Sequence, residues 1–383
     1  MTTLKQIVLG SAAVLSLAFS VTSCKKSYSV DGPETSPYVS SVYAVNSNRS
    51  VLALDPATGA KRWETKVGSD VYATPVVISR KLYVVDITGK IYRIEPKNGK
   101  IEASSSLGGA VYGTPLSYDR KLIIPVGNTV KMIDPTGNFT TVWSYTATDQ
   151  VRTSPALNVS KTDTNKKVVF FAAGTKVYAL QADNGAQMWQ TSVSGAGNFA
   201  SSVSAANRNY LYVGNDNGSL YALNSNDGST YWSYPTGSAI KSSPISVGGN
   251  IIVGSDDRNL YSVDSATGLL RWKYTASDRI ASSPFVYNQN VYFGSNDYNL
   301  YAINIIDGTL KWKFLTFSVI SSSPFAYNNT LYFNSFDKNV YALNSEDGSQ
   351  KWSYNTNATM NASMILDTIS GSVVPSISGN YPY

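Results

Sequence analysis

The chain has 383 residues, with 31 lysines and arginines against 25 acidic residues and a net charge of +6. No basic block concentrates that charge, which excludes a nucleic-acid-binding surface. With no histidine, the Ser-His-Asp triad and histidine-based zinc sites are excluded as well, and one cysteine leaves no intrachain disulfide.

The first element is an address. Residues 1–23, beginning MTTLKQIVLG, place Lys5 ahead of an apolar run from Ile7 to Phe19. A basic start before a short apolar core is a secretory signal peptide rather than a structural helix. The run ends in VTSC, which resembles the lipobox of bacterial lipoproteins, and Cys24 is the only cysteine. Cys24 is then the first mature residue and carries acyl chains, several of which anchor a protein where one does not. Residues 24–37 are Cys24 followed by KKSYSVDGPETSP (25–37), polar with Gly and Pro, which reads as a flexible tether. These features predict a lipid-anchored protein of the bacterial cell envelope, with the outer membrane as its expected location.

From residue 38 to 370 the chain repeats one pattern. Copies start at Val42, Leu82, Leu122, Val168, Leu211, Ile251, Val291 and Leu331. The spacing is 40 residues except where a polar loop at 158–167 and a linker from Ser194 to Asn209 stretch it to 46 and 43. In the copy VYFGSNDYNLYAINIIDGTLKW, starting at Val291, short alternating runs rich in Tyr, Val and Ile are cut by turn residues. A further run, VISSSPFAYN, follows. Four short strands per ~40 residues is the signature of a propeller blade. Asp307-Gly308 and its kin suit tight turns, because Gly accepts positive φ. Tyr301 and its equivalents Tyr92, Tyr178, Tyr221, Tyr261 and Tyr341 share one face, as a stripe packed between blades would. Small residues around Ser322-Ser323-Pro324 and their equivalents suit innermost strands crowded about an axis.

The first copy has no innermost strand before it, and the run Asn361 to Asp367 has no copy after it. The C-terminal strand should therefore complete the first blade. The expected fold is all-β: an eight-bladed β-propeller of four-stranded antiparallel blades spanning 38–370. Residues 371–383 are left as an extra strand or a tail.

Each copy ends on Trp63, Trp143, Trp189, Trp232, Trp272, Trp312 or Trp352, and the second copy has Ala103 there. The segments ALDPATGAKRW (53–63), AINIIDGTLKW (302–312) and ALNSEDGSQKW (342–352) resemble the Ala…Asp/Asn…Gly…Trp repeat of quinoprotein (PQQ-like) β-propellers. The resemblance implies that the Ala packs tightly, the Gly turns the chain and the seven Trp dock neighbouring blades.

That family has a catalytic branch and a non-catalytic one. The quinone-dependent dehydrogenases need a bound quinone, Ca²⁺ with oxygen ligands and a carboxylate base. Here the carboxylates sit mostly at repeated turn positions such as Asp227, Asp257, Asp297, Asp307 and Asp347. A catalytic Asp should depart from the template, so these are read as turn formers. No adjacent cysteine pair and no long capping insertion is present. The chain is closer in character to the non-catalytic propeller lipoproteins of outer-membrane assembly. This implies no enzyme activity, no catalytic residues, no cofactor and no metal. It implies a periplasmic or surface scaffold for an envelope protein partner, with the β-barrel insertion machinery as the candidate. A quinone-dependent dehydrogenase and a surface glycan-binding module remain as alternatives.

Binding should use positions where the repeat is broken near the axis. Two residues before the small Ser/Thr of each innermost run the identity varies. Tyr72, Tyr112, Arg152 and Lys241 stand there, with Arg279 one turn earlier in its loop. They are the candidate binding rim at one mouth of the channel, an aromatic and basic set suited to an acidic or peptide ligand.

Overall fold

The computed structural model describes residues 38–375, apart from 161–162, 164–165, 194–196 and 206–207. The signal peptide, Cys24 and the tether lie outside the described residues, as does the tail 376–383. The chain forms eight antiparallel sheets in sequence order, the blades of a propeller. Blade 7 is typical, with strands Phe285–Tyr287, Asn290–Gly294, Asn299–Asn304 and Leu310–Leu315 running from the axis outward. The two middle strands are buried on both faces and read as nearly continuous apolar runs, whereas Leu310–Leu315 alternates toward solvent. Blade 5 departs from this plan. Its innermost run makes only the isolated bridges Phe199↔Asn215 and Ser204↔Tyr212, next to the stretched linker. Among the described residues no helix is long and apolar enough to cross a membrane.

The small residues of the innermost runs are linked around the axis. The backbone N–H of Thr74 donates to Thr114 Oγ1 at 3.2 Å, that of Thr114 to Ser154 Oγ at 2.9 Å, and so on through Ser202, Ser243 and Ser283. The series ends with Ser283 to Ser323 at 3.2 Å and Ser323 to Ser363 at 3.0 Å. A hydroxyl on the β-carbon is short enough to accept from a backbone N–H of the neighbouring blade, which is why Ser and Thr recur there.

Ring closure follows the expected route. Ile365–Asp367 pairs with Ser41–Val45 in the register Ser41↔Asp367, Val42↔Leu366 and Tyr43↔Ile365. Closing a loop of this length costs roughly 5 kcal/mol of chain entropy, so the seam must bury enough to exceed it. Val373–Val374 then adds a fifth strand on the axis side of blade 1 and touches Phe325–Tyr327 of blade 8.

Adjacent blades are joined by the tryptophans. All seven indole N–H groups donate to a carbonyl in the outer turn of the next blade, from Trp63 to Pro96 O at 2.7 Å through Trp312 to Ser345 O at 3.3 Å. At the seam Trp352 reaches Pro56 O at 3.0 Å, so the closing joint is built like the others. Each indole lies flat on the turn glycine of that next blade. A β-carbon on Gly308, whose φ is +72°, would come within 2.8 Å of Trp272.

The joint between blades 2 and 3 reaches the same end with different residues. Five blades pair Ala with Trp across two strands, as Ala302↔Trp312, and blades 3 and 6 pair Met132 and Ser262 with their Trp, whereas blade 2 pairs Arg93↔Ala103. The Arg93 guanidinium supplies the missing donor, to Pro135 O at 3.0 Å and Thr136 O at 2.9 Å. Phe139 takes the turn position held elsewhere by glycine, with φ +57°, and is buried in the space an indole would fill.

Ala103→Trp alone should therefore destabilise the ring by about 1–3 kcal/mol through overpacking. Combined with Arg93→Ala and Phe139→Gly it should recover most of that loss in urea unfolding. Strictly additive losses would show that the three do not share one cavity.

Asp367, at the seam, is 1% exposed, and its carboxyl meets the Tyr38 hydroxyl. Burial pushes the Asp367 carboxyl up to about 7. The folded chain then holds a proton that the unfolded chain has lost, so stability should fall as pH rises from about 4 to 7, by up to about 1.4 kcal/mol per pH unit. Asp367→Asn should flatten that slope and raise the thermal midpoint at pH 8. An unchanged slope would place the titrating group elsewhere.

Candidate functional site

The loops that lead from each outer strand to the next innermost strand gather at one end of the axis, with the turns between the two middle strands. The bond from Asn296 N–H to Arg279 O at 2.9 Å ties one such loop to one such turn, and Asp256 N–H to Ala239 O at 2.8 Å ties another. The candidate rim residues stand on these loops.

Three of them form one row across consecutive blades. The rings of Tyr72 and Tyr112 lie 6.2 Å apart at 52°, and the Arg152 guanidinium sits over Tyr112 at 5.2 Å. Arg152 is further held by its Nε–H donating to Gln150 Oε1 at 2.9 Å. A cation over an aromatic face gains from the ring quadrupole, so the row is ordered before any ligand arrives. Beyond Arg152 opens a depression of about 580 Å³, which Arg152 shares with Phe199, Asp216 and Lys241. Arg279 is exposed and does not line it.

The electrostatics differ from the basic set expected. Asp149 and Asp216 line the same depression as Arg152 and Lys241, so its charges balance. Lys241 Nζ also lies 2.5 Å from Asp256 Oδ2, and the Asp256 side chain is only 8% exposed. The rim therefore offers both signs of charge beside an aromatic row. In the sequence Asp216 and Asp256 are masked by the repeated turn Asp or Asn beside them. The residue just before that turn Asp or Asn varies, as Asp216, Asp256, Asn296 and Phe336, which is the signal for Asp216 and Asp256; Asp149 stands on another loop, three residues before Arg152.

The repeated aspartates do serve their turns. Tyr261, Tyr301 and Tyr341 donate to Asp257, Asp297 and Asp337 at 2.7, 2.6 and 2.7 Å. Burial alone would raise the Asp257 carboxyl, but the bonds from Tyr261, Gly237 N–H and Asn259 together hold it below the usual range. An aspartate engaged in this way is a poor general base. Among the described residues no three His, Cys, Asp or Glu converge on one point.

The geometry can be set beside known proteins. The family model for the outer membrane protein assembly factor BamB matches residues 42–204 and 194–313. The chain belongs to that family. BamB from Yersinia pestis is 35% identical over 92 residues, 21% of this chain and 23% of that protein, so the match spans less than a quarter of that relative. The crystal structure of BamB from Moraxella catarrhalis aligns with a TM-score of 0.65 at 15% identity, over 80% of this chain and 96% of that one. A quinohemoprotein alcohol dehydrogenase from Pseudomonas putida HK5 aligns with a TM-score of 0.64 at 15% identity, over 84% and 72%. At such identities the structures share the fold with this chain, and an enzyme and an assembly factor share it equally well.

Lys241→Met leaves the nearly buried Asp256 without its cation. It should cost about 1–2 kcal/mol, less than a fully buried pair because Lys241 is half exposed. Adding Asp256→Asn should restore the thermal midpoint. No recovery would mean that the pair contributes through packing alone.

Proposed function

We propose that this BamB-family chain is a non-catalytic scaffold of the cell envelope, held to the outer membrane through lipid on Cys24. Its propeller rim grips a protein partner during the assembly of outer-membrane proteins. The observation that carries the reading is the BamB family match along residues 42–313. The site adds support. Tyr72, Tyr112 and Arg152 present a ready-made stacking surface, and the neighbouring depression offers Arg152 and Lys241 together with Asp149 and Asp216. A polypeptide carries aromatic rings, carboxylates and ammonium groups in one ligand, which suits a surface of that mixed chemistry. The partner that the family name suggests is the machinery that inserts β-barrels. The dehydrogenase reading has the fold in its favour, while Asp257, Asp297 and Asp337 are each engaged by a tyrosine hydroxyl.

The test is crosslinked capture from native membranes, with Arg152→Ala/Lys241→Ala beside the unaltered chain. The unaltered chain should retain a component of the barrel-insertion machinery and the double variant should lose most of it, and adding Asp256→Asn, which restores the midpoint lowered by loss of Lys241, should not restore capture. In the same cells Cys24→Ser should leave the membrane fraction. Dye reduction by alcohols or sugars after adding quinone and Ca²⁺ would overturn the scaffold reading, and capture unchanged by the double variant would remove the rim from it.

A further inference from the structure

The loop face of blades 7 and 8 carries an apolar surface that the repeat does not require. Phe317 is 88% exposed, Leu315 67%, Tyr298 46% and Phe336 37%. They are contiguous. Thr316 N–H donates to Tyr298 O at 2.8 Å, Phe317 N–H to Asp337 Oδ2 at 3.1 Å, and Phe336 N–H to Val319 O at 2.9 Å.

Each departs from what the other blades place at its position. The loop bonds that align Phe317 align it with Gly68, Gly108, Gly237, Ser277 and Asn357. Tyr298 aligns with Arg49, Gly89, Gly218, Arg258 and Lys338, and Phe336 with Ser47, Asp216, Asp256 and Asn296 and, in blade 2 alone, with an apolar residue, Ile87. Tyr298 also holds φ +72°, a conformation that disfavours a bulky side chain. Single exposed apolar residues are ordinary, but a contiguous group marks an interaction surface.

The polar border says what fits. Lys313 and Lys338 stand exposed there, without an ion pair among the described residues. The nearby carboxylates turn inward: Asp297 accepts from Tyr301 and Ser277 N–H, and Asp337 from Tyr341 and Phe317 N–H. Toward blade 6, Asp278 and Arg279 are adjacent and offset each other. An incoming molecule therefore meets apolar rings bordered by ammonium donors.

We propose that this surface docks a protein segment that presents large apolar side chains between carboxylates, at a site distinct from the Tyr72–Tyr112–Arg152 row. A second copy fits less well, because a two-fold contact sets Lys313 and Lys338 against their own counterparts. A bilayer fits less well too. Only Phe317 and Leu315 project far, and a few apolar side chains hold a membrane marginally, whereas a few aromatic anchors suffice at a protein interface. The proposal stands whether or not the outer-membrane partner is the right one.

The test uses the purified chain and three labelled synthetic peptides of equal length. One sets Phe and Leu between Asp and Glu, one replaces the acids by Lys, and one keeps the acids but replaces Phe and Leu by Ser. Fluorescence anisotropy should show the first binding at least about tenfold more tightly than either of the others. Phe317→Ser/Leu315→Ser should abolish that preference with the thermal midpoint unchanged, since both residues are exposed, and Lys313→Glu/Lys338→Glu should reverse it. Arg152→Ala/Lys241→Ala should leave it intact, which separates this surface from the rim. Equal binding of the three peptides, or a preference that survives Phe317→Ser/Leu315→Ser, overturns the proposal. So does a concentration-dependent dimer in light scattering, or co-sedimentation with anionic phosphatidylglycerol vesicles, if either is lost in that same variant.

Discussion

The contact on which the ring depends is an indole lying on the turn of the next blade. A lone blade leaves both faces of its middle strands in water, and burial of those faces is the main driving force available to an all-β chain of this kind. The tryptophan sets how closely and at what angle the faces meet. It covers a glycine that has no side chain to separate the backbones, and its N–H fixes the height by reaching one carbonyl. The joint between blades 2 and 3 shows that the constraint is on volume and donor rather than on residue type. Arg93 and Phe139 together replace what one indole does elsewhere.

Because every blade must meet this constraint, most of the sequence is occupied in meeting it. The aspartates that invite a chemical reading are bound to tyrosine hydroxyls and loop amides beside them. Binding chemistry is left to loop positions that touch neither joint. Those positions gather at one end of the axis, so residues separated by 40 residues or more in the chain become neighbours there, as Tyr72, Tyr112 and Arg152 do.

That face is divided. One part combines aromatic rings with balanced charge, around Tyr72, Tyr112, Arg152 and Lys241. The other, on blades 7 and 8, is apolar with a cationic border. The two surfaces on this face therefore differ in chemistry while sharing one ring. The shared fold of the dehydrogenases shows that the disc is neutral with respect to chemistry, and the loops decide its use.

Blade number, strand order, the turn glycines and the closing strand were legible in the sequence, since each depends on a pattern repeated about every 40 residues. Tyr72, Tyr112 and Arg152 were legible as breaks in that pattern. The sequence did not show that Asp149 and Asp216 stand beside Arg152, that Lys241 is engaged by Asp256, or that Arg279 stands apart. Nor did it show that Tyr298, Leu315, Phe317 and Phe336 meet across two blades. Repetition along a chain reports what each blade must do alone. Charge balance and surface patches are properties of neighbours, and which loops become neighbours is decided only when the ring closes.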